Sequence, residues 1–181
     1  MRGADGQPIN AILGFTNMLL GLWQAEQPRA VFVAWDTLGI PTYRHKLWPA
    51  YQAGRVFDRE LIQQLDILPS VAEAFGFGTG KGAGYEADDF LASGAREETA
   101  AGGSCLIFTN DRDSFQLVSD AVTVLAPRKG ISDILRVGPR QVVELFGVLP
   151  EQIPDYKALA GDSSDNIPGA RGIGPKLSLI H

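Results

Sequence analysis

Cysteine, histidine and long apolar runs are all scarce in this chain of 181 residues. It contains one cysteine and two histidines, so an internal disulfide is impossible and no Cys/His pattern indicates a zinc site. The apolar stretch from Ala11 to Trp23 is short and is interrupted by Thr16 and Asn17, which favours a core helix over a membrane span. The first ten residues lack the apolar segment of a signal peptide. These absences predict a protein with no membrane partner and a cytoplasmic location.

The charge of the chain is unevenly distributed. Apolar residues make up 45% and charged residues 20%, as in an ordinary globular protein of one domain or one domain with a small appendage. The net charge of −5 argues at first against nucleic acid as a partner. The acids, however, lie in short clusters, and two basic groups lie elsewhere: Arg44, His45, Lys46, Arg55 and Arg59, then Arg128, Lys129, Arg136 and Arg140. An acidic pocket beside basic patches suits a site that holds cations and handles a polyanion.

Apolar runs and helical patterns alternate along the chain. Val31 to Trp35 and Cys105 to Phe108 are continuous apolar runs typical of buried parallel strands, and shorter strands are predicted at Val122 to Leu125 and Ile134 to Val137. Helices are predicted for Ala11 to Trp23, Arg59 to Phe75, Glu86 to Ala101, Pro139 to Phe146 and Pro154 to Ala160. This order predicts an α/β fold with a mostly parallel central sheet flanked by helices.

Three local signals refine this prediction. Asp58 is expected to cap the helix that starts at Arg59. Pro69 lies inside that helical pattern, so we expect it to kink or split the helix. The glycine-rich stretch from Gly76 to Gly84 predicts a loop.

Eight acidic residues stand at positions where chemistry is expected. Asp36 and the pair Asp111 and Asp113 follow the two strongest strands, and ligands bind at the carboxyl ends of strands in such sheets. The other acids lie at helix starts or turns, three apart in two cases, which places them on one face. The full set is Asp36, Glu86, Asp88, Asp89, Asp111, Asp113, Asp162 and Asp165.

Each acidic cluster has two interpretations. Taken alone, acids at helix starts cap free amides and an aspartate after a strand caps a turn. Taken together at one sheet edge, carboxylates about 4 Å apart repel by roughly 4 kcal/mol per pair at an effective dielectric of 20, so they must protonate or bind cations. An all-oxygen ligand set suits Mg²⁺ or Mn²⁺, and two groups of carboxylates suit a metal pair of the kind found in phosphoryl-cleaving enzymes.

A glycine motif follows the last acids, from Ile167 to Lys176. Glycines at this spacing form a tight turn between two helices, where backbone N–H groups can hold a phosphate and Lys176 can add a charge. An ordinary glycine-rich turn explains the same residues.

The combined motifs resemble the 5′–3′ exonuclease domain of bacterial DNA polymerase I and the related flap endonucleases. The residues that carry the resemblance are Gly84 to Asp89, Thr109 to Asp113, Leu159 to Gly169 and Gly172 to Lys176, in this order. The resemblance implies a PIN-like fold with a C-terminal helix–hairpin–helix-type element. It also implies a DNA substrate with a free 5′ end, flap or branch, and a DNA polymerase either fused to the nuclease or working with it.

The resemblance also implies roles for individual residues. Asp36, Glu86, Asp88 and Asp89 would serve one Mg²⁺ or Mn²⁺ ion, and Asp111, Asp113, Asp162 and Asp165 a second. The residues implied to be catalytic are Asp36, Asp89, Asp111, Asp113 and Arg55. Those implied to bind DNA are Arg44, Lys46, Tyr51, Gln52, Arg55, Gly169, Gly172, Gly174 and Lys176, with K⁺ expected at the helix–three-turn–helix element. Residues 1–150 would form the catalytic domain, and residues 151–181 would begin the DNA-binding element.

Three departures from the family pattern are apparent. The family begins with an apolar strand ending in Asp-Gly; Asp5-Gly6 has no such run before it, so we reject Asp5 as a ligand and expect the first strand to be missing. Gln52 stands where the family has lysine, which removes a positive charge. Leu177 to His181 leaves the pattern, as in a chain truncated at both ends.

These departures keep two alternatives to an active nuclease open. A relative that binds branched DNA but cuts it poorly would also fit Gln52 and the missing aspartate. A phosphatase with an aspartate nucleophile would need Asp-x-Asp after the first strand, which Asp36-Thr37-Leu38 does not provide.

Overall fold

Helices and strands alternate through residues 2–3, 8–130 and 132–174, which are the residues described by the computed structural model. In chain order they are α1 (Asn10–Glu26), β1 (Phe32–Trp35), α2 (Tyr43–Leu47), α3 (Arg59–Ala74), β2 (Gly78–Lys81), α4 (Ala87–Ala100), β3 (Cys105–Phe108), a 3₁₀ helix (Arg112–Leu117), β4 (Val122–Pro127), β5 (Ile134–Val137), α5 (Pro139–Phe146), a second 3₁₀ helix (Pro150–Gln152) and α6 (Ile153–Ala160). None of the helices among these residues has the length and apolarity needed to cross a bilayer.

Within the described ranges, five strands form two sheets in place of the single sheet expected. β1 pairs with β2 in parallel, with Phe32 opposite Gly78. β3 pairs with β4 in parallel, and β4 pairs with β5 antiparallel. Two of the three pairings are therefore parallel, and the α/β fold class predicted from the sequence is confirmed.

Strand β2 corrects the prediction of a loop from Gly76 to Gly84. Its residues, Gly78–Lys81, are poor strand formers by propensity, but a side chain at Gly80 would overlap the ring of Phe32 on β1. Glycine is needed here so that the two backbones can pair beneath an aromatic ring. Tertiary packing therefore overrides local propensity.

Helix α3 begins where expected but is not split at Pro69. Asp58 Oδ1 accepts hydrogen bonds from the backbone N–H groups of Glu60 and Leu61, which confirms the predicted cap. Leu68 and Ala72, on either side of Pro69, are buried, and this packing holds the helix together across the proline.

The larger core lies between the three-stranded sheet and helices α4, α5 and α6. Val124, Val137 and Val142 are fully buried and Ile153 is 1% exposed. Each such side chain contributes about 1.5–3 kcal/mol by leaving water. This core fixes β3 and the residues that follow it.

Helix α4 joins the two sheets and shows that β1 and β3 run in the same direction. Near its C-terminal end, Glu98 binds Arg29, which precedes β1, and acts electrostatically on Cys105 at the start of β3. At its N-terminal end, Asp36, which follows β1, accepts a hydrogen bond from the N–H of Ala87. A crevice of about 1300 Å³ separates the two sheets.

The chain turns back on itself after α6. Asp162 and Ile167 form an isolated bridge, and Gly161 and Gly169 have positive φ of 83° and 70°. A Cβ on Gly169 would lie 2.5 Å from the backbone nitrogen of Gly161, so only glycine fits the crossing. Residues 175–181, where a second helix of the predicted C-terminal element would lie, are outside the described residues.

Candidate metal centre

The eight acidic residues gather at one end of the crevice. Seven of them line it directly: Asp36, Glu86, Asp88, Asp89, Asp111, Asp113 and Asp165. The eighth, Asp162, offers a carboxylate oxygen within 4.8 Å of those of Asp113 and Asp165. The topology brings them together because β1 and β3 end beside the start of α4.

Four of these carboxylates also cap backbone N–H groups. Asp36 Oδ1 accepts from Ala87 at 2.7 Å, and Asp111 Oδ1 accepts from Asp113 at 2.9 Å. Asp89 accepts from the backbone N–H of Glu86 at 2.9 Å, and Asp162 accepts from that of Ser164 at 2.8 Å. Capping and clustering are therefore not alternatives, because the caps orient the carboxylates toward the crevice.

Arg44 neutralises the acids at the start of α4. Its guanidinium forms a bidentate pair with Asp89, with both N···O distances 2.9 Å, and lies 3.7 Å from Glu86 Oε2. Burial opposes ionisation of Asp89, but the hydrogen bonds from Arg44 and from the N–H of Glu86 outweigh it and lower the pKa of Asp89. Asp89 is thus a fully partnered anion.

Asp88 lies in the opposite electrostatic situation. Burial raises its pKa to about 6, and the negative charges of Asp111, Asp36 and Glu86 act in the same direction. A group under such repulsion gains by binding a cation. Asp111 is thus close to the Asp88 side of the crevice, whereas the sequence grouped it with Asp113.

The second group consists of Asp113, Asp162 and Asp165. Lys157 reaches it from α6, with its ammonium in contact with Asp113 and 2.6 Å from Asp162 Oδ2. Burial opposes ionisation of Asp162, but the hydrogen bonds from Lys157 and Ser164 lower its pKa to about 2. Three carboxylates within 4.8 Å of one another form an all-oxygen ligand set, which fits a hard divalent cation.

Tyr51 and Gln52 connect the two groups. The Tyr51 hydroxyl donates to Glu86 Oε2 at 3.0 Å, and Gln52 Nε2 donates at 3.0 Å both to that hydroxyl and to Asp165 Oδ1. Burial, followed by the charges of Glu86 and Asp165, raises the pKa of the Tyr51 hydroxyl. Arg55 also donates to Asp165 Oδ1 at 3.0 Å, so this carboxylate, 7% exposed, has two partners.

The predicted DNA-binding residues come from several elements of the fold. Arg44, Tyr51, Gln52 and Arg55 point into the carboxylate crevice. Lys46 is exposed on α2, and Gly172 has open space where a Cβ would stand. Gly169 and Gly174 lie in the turn after α6, and Lys176 is outside the described residues, as is Asp5-Gly6.

Sequence reasoning missed three residues that organise this site. Lys157 gives no signal in the sequence, because a lone lysine on a short helix belongs to no motif. Asn166 adopts a left-handed φ of 59° and donates to the carbonyls of Ala50 and Ala53. Trp48 Nε1 donates to Asn166 O at 3.0 Å. The tolerance of asparagine for positive φ was the signal available for Asn166.

Family models match nearly the whole chain. Residues 1–147 match the model described as the 5′-3′ exonuclease N-terminal resolvase-like domain, and residues 148–180 match the 5′-3′ exonuclease C-terminal SAM fold. The chain belongs to the 5′-3′ exonuclease family. The resemblance inferred from the carboxylate and glycine motifs is confirmed.

Relatives of this chain include bacterial DNA polymerases. It is 44% identical over 174 residues to DNA polymerase I of Mycobacterium tuberculosis, which covers 96% of this chain and 19% of the relative. It is 39% identical over 175 residues to the thermostable DNA polymerase I of Thermus thermophilus, covering 96% of this chain and 20% of the relative. The chain therefore spans about a fifth of the length of these relatives.

Solved structures share the fold of this chain. The T5 5′-exonuclease with bound zinc has a TM-score of 0.81 at 23% identity, covering 98% of this chain and 67% of that one. The catalytic core of Rad2 in complex with DNA substrate has a TM-score of 0.56 at 20% identity, covering 99% of this chain and 55% of that one. At these identities the likeness is one of fold.

Proposed function

We propose that this chain is a metal-dependent nuclease module that hydrolyses DNA phosphodiester bonds near a free 5′ end, at a flap or branch. The observation that carries the proposal is the gathering of eight carboxylates at one end of a single crevice, beside Arg44, Arg55 and Lys157. Family membership supports the reaction class. The relatives named DNA polymerase I support a polymerase fused to this module or working with it.

Two divalent ions, Mg²⁺ or Mn²⁺, are proposed for the site. Asp113, Asp162 and Asp165 would hold one, and Asp36, Glu86 and Asp88 would hold the other, with Asp89 and Asp111 orienting neighbouring groups. When bound, such ions activate water and stabilise charge on the scissile phosphate and the leaving oxygen. Water would add to phosphorus and the 3′ oxygen would leave, giving a 5′-phosphate.

The residues of the chain would orient the substrate. Arg55, whose side chain is 46% exposed, can leave Asp165 and donate to a phosphate, and Arg44 is anchored by Asp89 on the other side of the crevice. Exposed Lys46 and the backbone of Gly169, Gly172 and Gly174 would contact the phosphate backbone of the DNA. Lys176, which lies outside the described residues, and a K⁺ ion would add to these contacts. Because such contacts release counterions, binding should weaken steeply with salt.

Two further attributes remain part of this proposal. Residues 1–150 would form the catalytic domain and residues 151–181 the start of the DNA-binding element. A DNA substrate is consistent with the cytoplasmic location predicted from the sequence.

A 5′-labelled flap duplex, incubated with Mg²⁺ or with EDTA, tests the proposal. The chain should release short 5′-phosphorylated products only with the metal. Asp113→Asn and Asp165→Asn should each reduce cleavage by at least about 100-fold, since a ligand of the reacting centre is lost, and leave flap binding nearly unchanged. Asp120→Asn, at an exposed carboxylate outside the crevice, is the matched control and should cut normally.

The second candidate function is a module that binds branched DNA and cuts it poorly. The observation that favours it is Gln52, whose amide donates a hydrogen bond to the Asp165 carboxylate without supplying a positive charge. Flap binding in the presence of metal, with no product at any metal concentration, would establish this alternative and exclude the first.

A further inference from the structure

A lysine side chain lies within the second group of carboxylates, which is proposed to hold a divalent ion. The ammonium of Lys157 contacts Asp113 and lies 2.6 Å from Asp162 Oδ2. These two carboxylates and Asp165 each offer an oxygen within 4.8 Å of the others. In the metal-free chain, Lys157 therefore neutralises part of the negative charge that a metal ion would neutralise.

The carboxylates of this group fit a divalent ion. The Oδ1 atom of Asp113 is buried and accepts no hydrogen bond among the described residues, although the Lys157 ammonium touches it. All the donor atoms are carboxylate oxygens, which Mg²⁺ and Mn²⁺ prefer as ligands. Lys157 and Arg55 supply two positive charges against three carboxylates, so the group keeps a net negative charge.

The hydrogen bonds of Asp162 leave one of its oxygens for a metal, and Lys157 holds that oxygen. Asp162 Oδ1 accepts hydrogen bonds from the backbone N–H and from the hydroxyl of Ser164. Asp162 Oδ2 accepts a hydrogen bond from Lys157. A metal ion on Oδ2 would lie beside the ammonium, and two cations at such short range repel each other strongly. Asp162 can therefore bind the ion only after Lys157 leaves Oδ2.

The carboxylate of Asp165 does not present this conflict. Its Oδ1 atom accepts hydrogen bonds from Gln52 Nε2 and from Arg55, at 3.0 Å in both cases. Both contacts fall on the same oxygen, so the other oxygen can bind a metal while Gln52 and Arg55 stay in place. Within the described part of the chain, Lys157 is thus the cation of this group that has to move.

The fold allows Lys157 to move while the carboxylates stay in place. Ile153, on the same helix α6, is 1% exposed, so the backbone of this helix is fixed in the core. The lysine side chain is partly exposed and has a flexible four-carbon stem. Asp162, by contrast, is held by its bridge to Ile167 and by Ser164. Displacement of the ammonium therefore requires only rotation of one side chain toward solvent.

The first group of carboxylates, proposed to hold the other ion, has no equivalent of Lys157. Arg44 pairs with both oxygens of Asp89 and lies 3.7 Å from Glu86 Oε2. Over the described ranges, no ion pair involves Asp36 or Asp88. A metal ion can therefore bind these two carboxylates without displacing a cation.

We propose that Lys157 is an internal competitor of the second divalent ion. Its ammonium holds Asp113 and Asp162 in the metal-free chain, and an ion binds to these carboxylates only by displacing it. The group that contains Asp88 therefore fills first, at a lower metal concentration. This inference rests on the proposed nuclease function, because it takes from that proposal the second ion.

Titration of the full chain with Mn²⁺, followed by electron paramagnetic resonance, measures the competition. Mn²⁺ should bind in two steps, and the weaker step should be absent from Asp113→Asn. Lys157→Met should bind Mn²⁺ in this weaker step at least about tenfold more tightly than wild type, because the ion no longer breaks a charged hydrogen bond.

Arg55→Met is the matched control for net charge. It removes an equal charge from the same group but frees no oxygen of Asp162, so it should strengthen the weaker step less than Lys157→Met does. If the two variants strengthen the weaker step equally, the effect is one of net charge and the proposed competition is wrong.

Acetylation of lysines in the unaltered chain provides a test that needs no variant. Without metal, Lys157 should react with acetic anhydride more slowly than exposed Lys129, because its ammonium is engaged with two carboxylates. Saturating Mn²⁺ should raise the acetylation rate of Lys157 toward that of Lys129, as measured by peptide mass spectrometry. A rate for Lys157 that stays constant or falls would overturn the proposal, even where Lys157→Met does not fold.

Failure of this inference and failure of the proposed function give different results. Two-step binding with equal affinities in wild type and Lys157→Met would overturn the competition alone. A weaker step that survives in Asp113→Asn would place that ion elsewhere and overturn the competition as well. Absence of Mn²⁺ binding from both wild type and Lys157→Met would overturn the proposed metal centre, on which the flap-cleavage assay gives a separate reading.

Discussion

Lys157→Met is expected to destabilise the metal-free protein and to strengthen its response to divalent metal. The ammonium of Lys157 contacts Asp113 and Asp162, and its side chain is only 21% exposed. Methionine retains much of the aliphatic volume but removes the charge. Without that charge, Asp113 and Asp162 lose the cation that they share, although their oxygens and one of Asp165 lie within 4.8 Å of one another.

The expected loss in the free energy of unfolding follows from the distances between the carboxylates. At the 4.8 Å limit, each of the three carboxylate pairs repels by about 3.5 kcal/mol at an effective dielectric of 20. Water in the crevice and protonation of one carboxylate dissipate most of this, so we expect a net loss of about 1–3 kcal/mol in the free energy of unfolding at neutral pH.

The pH dependence of this loss has a defined sign. The pKa of Asp162 is about 2 in the folded protein, below the roughly 3.9 of an unfolded aspartate. Its contribution to stability is thus fully present above about pH 4 and is lost as the pH falls through about 2. The difference in stability between wild type and variant should narrow over that window.

Urea unfolding at neutral and acidic pH, with and without Mg²⁺, measures these quantities. Mg²⁺ should stabilise Lys157→Met more than wild type, because the ion replaces the missing charge. Lys129→Met, at an exposed lysine, is the control and should change stability by no more than about 0.5 kcal/mol. Equal Mg²⁺ stabilisation of Lys157→Met and wild type would refute the reasoning.

Three other substitutions probe the site and the fold. Gln52→Lys should raise the rate of flap cleavage, since it adds a positive charge beside the buried carboxylate, as single-turnover assays would measure. Gly80→Ala should lower the melting temperature, because its Cβ overlaps the Phe32 ring, whereas Gly94→Ala, in open space on a helix, should raise stability by about 0.5–1 kcal/mol. Asp58→Ala should reduce the free energy of unfolding by about 1 kcal/mol through loss of the α3 cap, measured by urea titration.

Each of these expectations can be contradicted directly. An unchanged cleavage rate in Gln52→Lys would remove the role given to that position. Gly80→Ala as stable as wild type would mean that Phe32 moves aside at no cost. Asp58→Ala with unaltered stability would show that the N-terminal turn of α3 is held by packing alone.

The sequence predicted most of what depends on local pattern. Strand Cys105–Phe108 and the cap at Asp58 follow from apolar runs and capping chemistry, and both are found. Strand Gly78–Lys81 could not be predicted, because it depends on the ring of Phe32, 48 positions before Gly80 in the chain. The expectation of a single sheet also failed, since strand pairing depends on backbone groups that no side-chain pattern reports.

The acidic positions were predicted more fully than their partners. An aspartate that directly follows an apolar run, such as Asp36 or Asp111, can be recognised in the sequence as a candidate ligand. Their cationic partners come from distant segments: Lys157 from α6, and Arg55 from the turn after α2. Only the folded chain brings such residues within a hydrogen bond of the acids.

The backbone crossing at Gly161 and Gly169 limits how this chain can diversify. Neither glycine can accept even a methyl group without displacing main-chain atoms of the other strand of the turn. The seven residues between them therefore form a loop of fixed length, a ring closed by the crossing. Adding or deleting one residue would displace the carboxylates of Asp162 and Asp165 together. Laboratory libraries that vary loop length should therefore recover functional members from the exposed segment around Lys129 and almost none from this ring.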